Sequence, residues 1–178
     1  MHCINVISRM LLVLGVFLFS SKPFAETVEF DSKKFVELAS LKFIAEIETA
    51  KTALQKSSSP AVRAYAHSMI EENGGRLSEL RSLAIQNHIA LLNDVELLSK
   101  AHKYIFIRKG QSFESAYASM RDLERRKIVN LYRSAIKSDN EAMKHYAESA
   151  LPKLMRHLYM SQELVKNVAS EPLTVATL

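Results

Sequence analysis

Apolar side chains recur at helical spacing along four long segments of this chain, and this periodicity most constrains its fold. In the first segment, about 31–56, the inward positions Val36, Phe43, Ile47, Ala50 and Leu54 follow one another at spacings of 7, 4, 3 and 4. That spacing places side chains on one face of an α-helix. Similar stripes continue through about 59–88, 112–137 and 141–170, and only four glycines and four prolines interrupt the 178 residues. The pattern predicts an all-α chain with four long amphipathic helices.

Helix boundaries follow from residues that begin or end helices. Ser59 precedes Pro60, which predicts an N-cap and a first helical position for the second helix. The segment 138–141 (Ser-Asp-Asn-Glu) resembles a capping box and predicts the start of the fourth helix. Between the second and third long helices, 89–110 predicts a connector with a short helix at about 94–108, ended by Gly110.

Two helix-breaking features fall inside predicted helices. Gly74 and Gly75 lie in the second helix, where each costs about 1 kcal/mol relative to alanine. Either the helix bends there or another part of the chain packs closely against it. Pro152 lies in the fourth helix and predicts a kink, because proline lacks an N–H and its ring clashes with the preceding turn.

The first 25 residues have the three-part plan of a secretory signal peptide. Arg9 precedes the uninterrupted apolar run 10–19, and small Ala25 precedes the expected cleavage site. Ten apolar residues are few for a membrane-spanning helix, which needs about 20. Pro23 lies where a small residue is preferred, so the alternative to a released periplasmic or secreted protein is one tethered to the inner membrane by an uncleaved signal. The predicted organisation is a signal peptide at 1–25, a helical bundle domain at 26–170 and a flexible tail at 171–178.

Charge and cysteine content exclude several classes of function. The net charge is +5 for the whole chain, and without Arg9 and Lys22 it falls to +3, which is too small and too dispersed to predict a nucleic-acid partner. The single cysteine, Cys3, lies in the signal segment, so the mature chain has no thiol for catalysis or metal binding. The sequence also contains no Gly-x-Ser-x-Gly nucleophile elbow and no phosphate-binding loop.

Several ordered segments resemble one bacterial protein family. They are AEIETAKTALQKSSSPAVRAYAHSMIEENGGRLSEL at 45–80, FESAY at 113–117, KIVNLY at 127–132, ALPKL at 150–154 and RHL at 156–158. Together, over about 31–168, the chain resembles the family called domain of unknown function 4142. The resemblance implies an exported, ferritin-like four-helix bundle, here with a short connector helix between helices 2 and 3.

The chain departs from that family at two characteristic histidines. The resemblance implies an acidic-acidic-His triplet late in the second helix, where this chain has Glu71, Glu72 and Asn73. It also implies Asp-His in the third helix, where this chain has Glu124 and Arg125. His157 stands at the remaining histidine position. A guanidinium cannot bind a cation and repels it, so these replacements weigh against a transition-metal core.

The inward polar residues permit two interpretations if the stripes are assigned correctly, and a third alternative is that the assignment is off by one residue and some of these groups are solvated. Ferritin-like di-iron centres use glutamates and two Glu-x-x-His motifs, and this chain has no Glu-x-x-His. Asn73, Glu124 and His157 nevertheless fall on apolar stripes, with further glutamates beside them. One interpretation is a site for Fe, Mn or Zn formed by Glu46, Glu48, Glu72, Glu124 and His157. The other, which we favour, is a buried hydrogen-bonded layer that fixes helix register, with no cofactor and no catalytic residue.

These observations favour a non-enzymatic exported bundle with a structural, stress-related or adaptor role, although enzymatic activity stays open. Its expected partners are other proteins or further copies of itself, with no nucleic acid, and with a membrane only through an uncleaved signal. The alternative is a divalent-metal-binding bundle. Leu38, Leu41 and Ala45 lie opposite the main stripe of the first helix and either pack under the connector or form a partner surface, and we favour the connector.

Overall fold

The computed structural model describes residues 30–102 and 112–171, and this part of the chain is all-helical. It contains five α-helices and no strand: α1 Ser32–Lys56, α2 Pro60–Gln86, α3 Asp94–Ala101, α4 Phe113–Ala135 and α5 Glu141–Ser170. The all-α prediction is confirmed. The predicted signal peptide, residues 103–108 of the predicted connector helix and the tail beyond residue 171 lie outside the described residues.

Side-chain caps explain where the helices begin. Ser59 Oγ accepts the backbone N–H of Val62 at 3.2 Å, and Pro60 is the first residue of α2, as predicted. Asn93 and Glu96 form a reciprocal capping box on α3. Asn140 caps α5 instead of Ser138, because its side-chain oxygen accepts the N–H at the third helical position. Each cap satisfies a backbone donor that the first turn leaves without a partner.

The four long helices pack in two pairs, α1 with α2 and α4 with α5. Contacts between α2 and α5, and between α1 and α4, join the pairs. The short helix α3 lies against α1, where Leu97 and Ala101 pack on Leu41 and Ala45. The predicted covering of Leu41 and Ala45 by the connector is therefore confirmed. Leu38 lies elsewhere, in a surface groove beside Phe30.

Both helix-breaking features lie within continuous helices. α2 runs through Gly74 and Gly75, and a Cβ added to either residue would meet no atom within 4 Å. Within residues 30–102 and 112–171, no other part of the chain packs closely on these glycines, which contradicts the second alternative. α5 likewise continues through Pro152, and the predicted kink there stays a prediction. α3 ends at Ala101, inside the span predicted for it. No helix in residues 30–102 and 112–171 is both long enough and apolar enough to cross a membrane.

Two separate apolar clusters lie among the four long helices, apart from the smaller cluster between α1 and α3. The first cluster includes Phe35, Phe43, Leu80, Tyr132 and Leu154. The second cluster includes Ala50, Val62, Met69, Tyr117 and Leu164. Each cluster draws on all four long helices, and along each helix a short polar stretch separates the two. The core is therefore interrupted at its middle by polar side chains.

Candidate functional site

Each of the four long helices places two buried polar residues between the two apolar clusters. We call these eight residues the central polar layer: Glu46 and Thr49 on α1, Asn73 and Arg76 on α2, Arg121 and Arg125 on α4, and His157 and Ser161 on α5. All eight are at most 5% exposed. The members of each pair are three or four residues apart, which puts both on one helix face.

A buried ion pair lies within this layer. Arg125 Nη2 lies 2.7 Å from Glu46 Oε1 and also donates to Asn73 Oδ1 at 3.3 Å. The Tyr65 hydroxyl donates to the same Glu46 oxygen at 3.3 Å. Burial alone would lower the pKa of Arg125, but the neighbouring carboxylate raises it above its usual value, so the guanidinium stays charged. The pair links α1 to α4, and Asn73 extends it to α2.

Arg121 forms a second polar contact between α1 and α4. Its Nη1 donates to Thr49 Oγ1 at 2.9 Å, and its guanidinium lies 5.4 Å from the ring centroid of Tyr117. A cation over an aromatic face is attracted by the ring's quadrupole. Burial raises the pKa of Tyr117, so this hydroxyl is neutral at physiological pH. Arg121 is thus held without a carboxylate partner among the described residues.

His157 is a member of the central polar layer on α5, and it pairs with the carboxylate of Glu72 at the edge of the layer. His157 Nε2 lies 2.5 Å from Glu72 Oε2, and the same oxygen accepts from Arg156 at 3.0 Å. Burial, together with the charge of Arg125, lowers the pKa of His157 to about 4 despite the opposing effect of Glu72. The imidazole is therefore neutral at pH 7, and we assign its proton to Nε2 because Glu72 is an ionised acceptor. Burial alone would raise the pKa of Glu72, but hydrogen bonds from His157 and Ser68 hold it below its usual value.

The five residues predicted as metal ligands do not converge. Glu46 pairs with Arg125, Glu48 pairs with Lys51 at 2.8 Å, and only Glu72 and His157 contact each other. In residues 30–102 and 112–171, no three side chains of His, Cys, Asp or Glu are grouped as a metal site would require.

The predicted core position of Glu124 is wrong by one residue. Its side chain is 17% exposed and lies at the α1–α4 edge, where Lys42 and Lys127 contact it at 2.9 and 2.7 Å. Burial alone would raise the pKa of Glu124, but the two lysines lower it. The neighbouring Arg125 takes the inward position, because it can pair with Glu46 there.

Sequence reasoning missed the buried Arg76 and Arg121. It found Arg125 only through the family resemblance, because the apolar stripe placed Glu124 inward instead. Arg76 follows Asn73 by three residues, and Arg121 precedes Arg125 by four, so each pair shares a helix face. That spacing was a usable signal. Arginines are seldom fully buried unless they are paired, however, and the pairing partners lie on other helices.

A surface groove of about 640 Å³ opens between α2 and α5, beside the central polar layer. Arg76, Glu79, Tyr146 and Lys153 are the charged and phenolic residues of its lining, which also includes three serines and a glutamine, and Gly75 and Ala150 are small residues in its wall. Arg76 thus belongs both to the layer and to the groove. Among the described residues, no hydrogen bond or ion pair reaches its guanidinium, and its Nε is buried without a partner.

One protein family matches this chain over most of its length. The family described as Domain of unknown function (DUF4142) matches residues 20–164. The chain belongs to this family. The DUF4142 match covers well over half of the 178 residues and confirms the resemblance predicted from the sequence. No curated protein and no solved structure matches the chain. The DUF4142 description names no activity, so a function has to be argued from the residues.

Proposed function

We propose that this chain is an exported, ferritin-like four-helix bundle that acts without catalysis, as a structural, stress-related or adaptor protein. The observation that carries this proposal is the buried Arg125–Glu46 ion pair at the middle of the bundle. In ferritin-like metalloproteins, inward carboxylates and histidines of the four helices bind the metal ions. Here the only buried carboxylate of the layer is neutralised by a guanidinium.

The net charge of the central polar layer supports the same proposal. Three arginines and one glutamate, with a neutral His157, leave a formal charge of +2 in a region shielded from water. A divalent cation entering the layer would be repelled at close range, where water screens little. The arrangement is suited to holding four helices in register, since each buried polar group restricts how its helix can slide.

Metal analysis combined with thermal unfolding tests this proposal. Mature protein purified from the periplasm should contain no stoichiometric Fe, Mn or Zn, and its Tm should not change when these ions are added. A ligand that binds only the native state stabilises it by about 2.7 kcal/mol at a hundred times its Kd. A stoichiometric metal or a clear rise in Tm would overturn the proposal.

Two variants sharpen that test. His145 and Glu148 form a solvent-exposed pair at 3.6 Å that can bind ions adventitiously, so His145→Gln removes this background. The double variant Asn73→His, Arg125→His restores imidazoles at two layer positions and frees the Glu46 carboxylate. It should gain a metal-dependent rise in Tm that the wild-type chain lacks. Equal responses of the two proteins would show that the arginine does not decide metal binding.

The alternative proposal is a divalent-metal-binding bundle, and one contact favours it. Glu72 Oε2 and His157 Nε2 already lie 2.5 Å apart, so a cation that displaced the Nε2 proton would meet a carboxylate and an imidazole together. Two ligands hold an ion weakly, and Arg156 lies 3.0 Å from the same carboxylate. Loss of metal binding in His157→Gln, with retention in His145→Gln, would support this alternative.

Export is the second part of the proposal, supported by the apolar run 10–19 and Ala25 of the sequence. Intact-mass spectrometry of the expressed protein should find Glu26 as the first residue. A mass that retains residues 1–25 would instead favour a protein tethered to the inner membrane.

Partner binding is supported by exposed apolar side chains, foremost Val95 at 77% and Ile85 at 75% exposure. Sedimentation of the mature chain would reveal self-association, and a lower sedimentation coefficient for Val95→Lys would show that it occurs through the surface around Val95.

A further inference from the structure

Arg76 is a buried cation without a counter-charge among the residues that the structure describes. It is 4% exposed, its Nε is buried without an acceptor, and no carboxylate in the described residues lies within ion-pair distance. An uncompensated buried charge is strongly unfavourable, and native proteins retain one mainly where something else satisfies it. Arg125, in the same layer, shows the ordinary solution, which is a glutamate at 2.7 Å. Arg76 instead lines the groove between α2 and α5.

Further hydrogen-bond donors line the same groove. The Tyr132 hydroxyl donates to the Tyr146 hydroxyl at 3.3 Å, which leaves the Tyr146 proton for another acceptor. Burial raises the pKa of Tyr146 to about 12, so that proton is retained at physiological pH. Lys153 also lines the groove and forms no ion pair among the described residues. Arg76, Tyr146 and Lys153 thus all bring hydrogen-bond donors to this groove.

The charges in the groove indicate what the acceptor is. Arg76 and Lys153 carry two positive charges, and Glu79, which has no ion-pair partner among the described residues, carries one negative charge. The resulting +1 matches a monoanion better than a doubly charged phosphate. A guanidinium also matches the planar geometry of a carboxylate, with two parallel N–H donors.

The volume and walls of the groove indicate that the anion has an organic body. About 640 Å³ is far more than a bare ion fills and lies in the range of small-molecule sites. Leu83 and Ala150 add apolar surface to the wall. We propose that this groove binds a small organic carboxylate, which pairs with Arg76 and accepts hydrogen bonds from Tyr146 and Lys153. This proposal is independent of the non-enzymatic role proposed above.

An NMR titration of the ¹⁵N-labelled mature protein tests the proposal. Sodium benzoate is the probe, benzamide is its neutral analogue, and inorganic phosphate is the competing oxyanion, all at constant ionic strength. Benzoate should shift the backbone signals of Gly75, Tyr146 and Lys153 saturably, and benzamide should not. Arg76→Met should raise the Kd for benzoate by about tenfold or more, because a charge-assisted pair is lost.

Two adjacent glycines provide a matched pair of variants. A Cβ added at Gly75 or at Gly74 meets no atom of the described residues within 4 Å, but only Gly75 lines the groove. Gly75→Gln should therefore abolish the benzoate shifts, whereas Gly74→Gln should keep them, and both proteins should fold. Arg76→Met should melt at or above the wild-type temperature, because it removes an unpaired buried charge. Lost binding together with unimpaired stability separates a ligand-binding residue from a structural one.

Any one of the following five results would overturn the proposal. Absence of saturable shifts up to 50 mM benzoate would refute the site, and equal affinity in Arg76→Met would refute the role of Arg76. Equal binding of benzamide would mean that the groove does not recognise charge. Tighter binding of inorganic phosphate than of benzoate would refute the carboxylate class. Loss of binding in both glycine variants would show that the signal arises outside the groove.

Discussion

The buried ion pair between Glu46 and Arg125 allows a quantitative prediction about stability. Arg125→Met removes the guanidinium and leaves the Glu46 carboxylate buried, with the Tyr65 hydroxyl as a donor at 3.3 Å. Glu46→Leu leaves the fully buried guanidinium with Asn73 at 3.3 Å as its side-chain oxygen acceptor. Removing one partner of a buried pair costs about 3–5 kcal/mol, so each single variant should lose that much free energy of unfolding.

The double variant should be far more stable than the two single losses suggest. Replacing both charges with apolar groups of similar size removes the need for pairing, and a remaining cost of about 1–3 kcal/mol arises because Asn73 Oδ1 loses its donor. Independent effects would instead sum to about 6–10 kcal/mol.

Urea unfolding followed by circular dichroism gives the free energy of unfolding of the wild type, the two single variants and the double variant. Equal m-values would confirm that all four unfolding transitions expose a similar amount of surface. A double variant as unstable as the sum, or single variants within about 1 kcal/mol of wild type, would refute the assignment of a buried ion pair.

Three further predictions concern single positions. Gly74→Ala should stabilise the protein by about 0.5–1 kcal/mol in the same urea assay, because the helix interior there has open space for a methyl group. As the pH falls from 6.5 to about 4, the free energy of unfolding should decrease by an amount on the order of 3 kcal/mol, because His157 binds a proton more readily in the unfolded protein than in the folded one. His157→Gln should make stability depend less on pH in this range. Ser59→Ala should cost about 1–2 kcal/mol, since Ser59 caps α2 and also donates to Glu171 at 2.7 Å, and an unchanged Tm would contradict both contacts.

Periodicity and capping were sufficient to predict the helices. The stripe through Val36 and Phe43, and the Ser59–Pro60 start of α2, follow from local preferences that the tertiary structure does not oppose. The burial of Asn73 and of His157 followed from the same stripes, and both are 0% exposed. Helical periodicity therefore located two of the eight residues of the central polar layer without any structure.

The arginines could not be predicted in the same way. Glu124 and Arg125 differ by one step of about 100° around the helix, and an apolar stripe does not separate such neighbours when both are charged. The choice is made by Glu46, which lies 79 positions earlier in the chain and becomes a neighbour only through packing of α1 on α4. The groove at Arg76 likewise depends on how α2 meets α5.

The interrupted core has a consequence for how the protein opens. Each apolar cluster is complete across all four long helices, and the polar layer between them contributes little apolar contact from one to the other. The second cluster lies at the end of the domain where Ser59 contacts Glu171. Backbone amides near this cluster can therefore exchange with solvent hydrogen in one opening step, and amides near the first cluster in another. Native-state hydrogen exchange should resolve two groups of amides with different opening free energies, whose boundary crosses each helix at the layer. The same residues that hold the helices in register would then divide the domain into two cooperative units.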